Sequence, residues 1–196
     1  MNIMNLLLGE KFISLYTSGK IASRLINKDS PHLLQQSFPE LKNSYSSPLL
    51  MQEIPNLLST GVLSVLFLFI YVFGAGGILT NFNLTPPVYV SLFFGPVIII
   101  SAVMASMFWA IGRGYLWALS VILYFYLLGG GISLISFLIT FASLSESKHI
   151  FNDVKYIPIQ IIILYIIRNV INGESFSTAI LYFRKRRIAF ESRKTR

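Results

Sequence analysis

Between Ile54 and Gly112 the chain runs for fifty-nine residues without an Asp, Glu, Lys or Arg. A helix crossing a hydrocarbon layer of about 30 Å needs about 20 apolar residues, so this block is long enough to cross twice. The uncharged segment Thr80 to Pro87, with Asn81, Asn83, Thr85 and a Pro pair, interrupts it. It predicts a short connection between spanning helices at 56–79 and 88–111, the first opened by Pro55. The turn Gly112-Arg113-Gly114 makes the second helix and the third, at 116–143, antiparallel neighbours. A fourth apolar run starts at Tyr156 and gives out near Asn172, Gly173 and Glu174. Carried on to Phe183, it would be a helix of about 42 Å with Arg168 and Glu174 deep in lipid. The expectation is therefore a span at 156–172 with Arg168 snorkelling to the headgroups, followed by an amphipathic stretch Ser177–Phe183.

Upstream, residues 1–28 carry a helical pattern. Met4, Leu8, Phe12, Leu15, Ala22 and Ile26 fall on one face, with Glu10, Lys20, Arg24 and Lys28 opposite. Such a helix can lie flat on a membrane surface, the reading preferred here, or pack on the ends of the spans or on a partner. Residues 29–55 are punctuated by Pro31, Pro39, Pro48 and serines and read as a linker. The fold class expected is an all-α integral membrane protein: four transmembrane helices with an amphipathic N-terminal cytoplasmic arm. Its parts are an arm at 1–55, a transmembrane domain at 56–183 and a basic tail at 184–196.

Composition sharpens this. The mean hydropathy is +0.66 and charged residues make up 12%, about half of the roughly 25% usual in soluble domains. A net charge of +8 raises the question of nucleic acid, but seven of the sixteen basic residues lie in the last thirteen positions. Arg184, Lys185, Arg186 and Arg187 read instead as a topology determinant attracted to anionic lipid headgroups. Lys42, Arg113 and this tail fall on one side of a four-span map, and Lys148 and Lys155 on the other. That asymmetry predicts a multi-pass plasma-membrane protein, of the bacterial inner-membrane kind, with both termini cytoplasmic. The first residues lack the basic n-region of a cleavable signal, so the N-terminus is expected to be retained.

Candidate chemistry is sparse. There is no cysteine, and His32 and His149 lie in different loops, so no joint metal site is expected. No acidic pair stands in a span, and no nucleophile elbow, zinc motif or phosphate loop is present. Neither enzymatic activity nor a cofactor is expected. Arg168 is a functional candidate, because an intramembrane charge is costly. Gly129, Gly130 and Gly131 could mark a broken helix exposing backbone to a cavity, or a tight packing spot, the second being favoured. Ser101, Ala102, Ala105 and Ser106 give a small-residue face suited to helix–helix packing. Trp109, Tyr115 and Trp117 suit an interfacial belt.

The outline of four spans, both ends inside, and Tyr-Phe leading into Arg and Lys resembles small bacterial inner-membrane proteins. It is also similar to the plasmid-borne immunity proteins that block pore-forming toxins, although no functional residue is carried over. The expectation is a non-enzymatic protein that binds membrane lipid and another membrane protein, or itself as a homo-oligomer, in the manner of an immunity or exclusion protein. The alternative is a small oligomeric permease or channel subunit with Gly129–Gly131 and Arg168 lining a path.

Overall fold

The computed structural model describes residues 3–27, 58–80, 82, 84–143 and 156–194. Among these residues there are helices and no strands: α1 (Ile3–Leu8), α2 (Glu10–Asn27), α3 (Leu58–Leu79), α4 (Pro86–Gly112), α5 (Trp117–Ser143), α6 (Tyr156–Ile171) and α7 (Glu174–Lys194). Three of them, α3, α4 and α5, are long and apolar enough to cross a membrane. A fourth crossing is present if α6 and α7, broken at Asn172-Gly173, count as one span. The linker at 29–55, with Lys42 and His32, and the charged loop Ser145–Lys155, with His149, lie outside the described residues.

The described residues divide into two compact units. The first contains α1, α2, the α4–α5 turn (residues 107–120) and the chain from Ile171, which includes α7. The second contains α3 from Thr60, α4 up to Ser106, α5 from Val121, and α6 up to Val170.

In the second unit, Thr60, Leu63, Phe67, Ile70, Gly74 and Gly77 are the buried positions of α3. Their alternating spacing of three and four is one helix face along the whole length. Two of them are glycines because neighbours come close: a Cβ on Gly74 would run into the Ile132 side chain, and one on Gly77 would lie 3.0 Å from Ser136 Oγ. Phe67 and Phe125 add a tilted ring contact at 5.8 Å. Large apolar side chains such as Phe94, Ile98 and Ile99 point outward from α4. In water that would be a defect; against lipid tails it costs nothing.

Pro96 lies inside α4 without ending it. Its missing N–H leaves the carbonyl of Leu92, one turn earlier, without a helical donor. Tyr71 on α3 supplies one: its hydroxyl donates to Leu92 O at 2.9 Å. Hydrocarbon offers no substitute, so a proline in a span needs such a neighbour.

The first unit is held together by the chain's two ends. Leu8, Phe12, Leu15 and Ala22 are buried, while Glu10, Lys20 and Arg24 are exposed. The apolar stripe read from the sequence is real, but protein covers it. α2 packs on α7, which presents Phe176, Ala179, Ile180 and Phe183 at helical spacing. The surface-lying reading of the arm is corrected accordingly: the complementary stripe on α7 takes the place expected for lipid. The residues expected as an amphipathic stretch and a basic tail form one helix through Lys194.

Candidate functional site

Helix α4 ends in a Schellman turn. Gly114 has φ +71°; its N–H donates to Ile111 O at 2.8 Å, and the Tyr115 N–H donates to Ala110 O at 3.0 Å. Glycine is required twice over at this position. A side chain would be strained by the left-handed backbone, and its Cβ would lie 2.5 Å from the carbonyl oxygen of Phe183. This tight approach brings the α4–α5 turn against α7.

Arg113, Tyr115, Arg186 and Arg187 meet there, with Phe183, Phe190 and Glu191, around an open cleft of about 390 Å³. Tyr115 stacks on Trp109, ring centroids 6.0 Å apart and planes 18° from parallel. The Arg113 guanidinium carbon sits 5.0 Å from the Trp109 ring centre, and that of Arg187 sits 4.2 Å from the Tyr115 ring centre. Arg187 also donates to Gly114 O at 3.5 Å. Two guanidinium groups are thus braced by aromatic faces, an arrangement that holds a cation in place.

Arg184 behaves differently from its basic neighbours. It is buried; Nη2 donates to Leu15 O at 2.7 Å and Nη1 to Ser18 Oγ at 2.8 Å. Gly19 makes room, since a Cβ there would come within 2.6 Å of Nη2. The guanidinium expected at the lipid headgroups is therefore turned onto α2. Arg186, exposed, and Arg187 line the cleft, and Lys185 is half-buried.

Asn172 makes the second tie to the N-terminal helices. Its Nδ2 donates to Leu8 O at 2.6 Å, and its Oδ1 accepts from the Phe12 N–H at 3.2 Å. One carboxamide satisfies a terminal carbonyl of α1 and a first-turn N–H of α2, groups that helix ends otherwise leave open. Sequence reading missed this role; Gly9, left-handed at φ +87°, marks the junction it closes.

In the second unit Gly129, Gly130 and Gly131 lie inside α5, which continues through them unbroken. A Cβ on Gly129 would meet Ile70 Cγ2 at 3.0 Å, whereas Gly130 and Gly131 face open space. Ser133 returns its hydroxyl to Gly129 O at 2.9 Å. The triplet is thus a packing spot at its first position only. Arg168 lies in the last turn of α6, where the carbonyl end of the helix favours a cation, and within electrostatic reach of Tyr126. Gln160, unremarked in the sequence, is buried with Ser136 and Thr140. Its Nε2 donates to Ser136 Oγ at 3.4 Å, while Oε1 has no hydrogen-bond partner among the described residues.

Ser101, Ala102, Ala105 and Ser106 are all exposed. Over its most apolar eighteen residues α4 has 6% of positions buried, against 33% for α3. Ser101 and Ser106 bond to carbonyls of their own helix, at 2.8 and 2.9 Å, so neither presents an unsatisfied hydroxyl. No protein-family model, curated protein or solved structure matches this chain.

Proposed function

We propose that the chain is a non-enzymatic plasma-membrane protein whose α4 binds a helix of another membrane protein, as an immunity or exclusion protein would. The observation that carries this reading is the exposed face Ser101, Ala102, Ala105 and Ser106 on the least-covered apolar helix. Between helices already in lipid there is no hydrophobic driving force, so association depends on close backbone approach, which small residues permit. Their hydroxyls are satisfied at home, so an approaching helix meets no unmet polar group. In this reading the basic residues of the α4–α5 turn and α7 keep that side, and both termini, in the cytoplasm.

The chain has no cysteine, so an introduced thiol is unique. Ala102→Cys and Ala105→Cys should cross-link in native membranes to one polypeptide of different mass, and Leu134→Cys on exposed α5 should not. A product of twice the chain mass would point to self-association instead. No product at either position would remove the reading, and a flux from the purified protein in proteoliposomes would replace it with the channel alternative.

A further inference from the structure

We propose that the cleft between the α4–α5 turn and α7 binds a phosphate group carried on an amphiphile or a small organic phosphate. Three arginines, Arg113, Arg186 and Arg187, line one opening of about 390 Å³, with Glu191 as the single acidic residue on its described lining. Like charges gathered in this way repel, and a bound anion relieves the repulsion. Lysines would offer point charges. Guanidinium groups offer planar forks that match two phosphate oxygens at once.

The cluster is also preorganised. Arg113 lies over Trp109, Arg187 lies over Tyr115, and the two rings stack on each other. Stacking uses the face of a guanidinium and leaves in-plane N–H groups for an oxygen ligand, beyond the one that Arg187 gives to Gly114 O. Gly114, fixed by its left-handed backbone and by Phe183 O, sets the register between the turn and α7. Phe183 and Phe190 supply apolar wall beside the charged groups. A site with cations at one edge and aromatic side chains at another suits a phosphate joined to a carbon chain better than inorganic phosphate alone. Basic pockets of this kind bind anionic headgroups at membrane surfaces. This inference is independent of the α4 face and stands or falls separately.

The test uses the full-length protein in neutral detergent, with bound phospholipid counted by native mass spectrometry. The probes are phosphatidylglycerol, phosphatidylcholine and, as a water-soluble competitor, glycerol 3-phosphate. Phosphatidylglycerol should be retained in preference to phosphatidylcholine, and Arg113→Gln with Arg187→Gln should weaken retention about twenty-five-fold, at about a factor of five per charge. Displacement by glycerol 3-phosphate at similar concentration would support the site and identify a soluble phosphate compound as its ligand. Its failure to compete would support the site and identify the lipid. Arg186→Gln changes an exposed side chain and should fold normally; it should weaken retention about fivefold. Equal retention of the two lipids, or retention unchanged in a folded Arg186→Gln protein, would overturn the proposal.

Discussion

The hydroxyl of Tyr71 stands 2.9 Å from the carbonyl oxygen of Leu92, the group that Pro96 deprives of its helical donor. Two substitutions separate this pairing from simple packing. Tyr71→Phe should cost about 1 kcal/mol, because the carbonyl is left bare in an apolar surround. Pro96→Ala restores the helical bond, and in that background Tyr71→Phe should become nearly silent. A double-mutant cycle of unfolding in mixed micelles measures the coupling; additive effects would mean that the hydroxyl is not answering the proline.

The carboxamide of Asn172 occupies the space that a side chain on Gly9 would need. Asn172→Ala should destabilise the first unit by about 2 kcal/mol, since it strands a carbonyl and an N–H together. Gly9→Ala should cost a similar amount, about 1–3 kcal/mol, through its left-handed backbone alone. Both should expose the same N-terminal helices, so amide exchange in α2 ought to rise in either variant. Unchanged protection would show that the arm is held by its apolar face without this bridge.

Arg184 makes a sharper case, because substitution can keep the charge and lose the fork. Arg184→Ala removes two charge-assisted hydrogen bonds, to Leu15 O and Ser18 Oγ, at about 3 kcal/mol. Arg184→Lys should fall between, since an ammonium cannot reach both acceptors as a rigid plane does. Trypsin reports the result directly: Lys20 and Arg24 are exposed on α2, and helix undocking should speed cleavage there. Equal cleavage rates in Arg184→Ala and the parent would contradict the docking role.

The glycine triplet gives a built-in comparison. Gly130→Leu enters open space and should leave thermal stability within about 0.5 kcal/mol. Gly129→Leu forces a larger side chain against Ile70 and should cost about 1–3 kcal/mol. If the two behave alike, the position of Ile70 does not control the α3–α5 approach.

Much of the helical frame was legible in the sequence, because charge-free runs and Pro/Gly breaks fix where apolar helices begin and end. The expected third span, 116–143, and the observed α5, Trp117–Ser143, nearly coincide. The apolar stripe on α2 was legible too, as a periodicity. What covers it was not, since α7 follows it by about 160 positions and no local pattern encodes a pairing at that range. Nor does the run Arg184-Lys185-Arg186-Arg187 announce which member turns inward. Helix phase decides that, and the phase depends on where α7 starts after the break at Gly173. The bridging roles of Asn172 and Gln160 were not legible for a related reason: a single amide in an apolar run is distinctive only by what lies next to it in space.

The pairing of α2 with α7 also sets an order of events during synthesis. Helix α2 is synthesised before α7, so Phe12 and Leu15 lack their final neighbour until residues about 160 positions later have been made. An apolar stripe opposed by Lys20 and Arg24 has the character of a helix that can rest on a lipid surface. Until then the amphipathic face of α2 is without α7, and the two helices can dock only once α7 has been made.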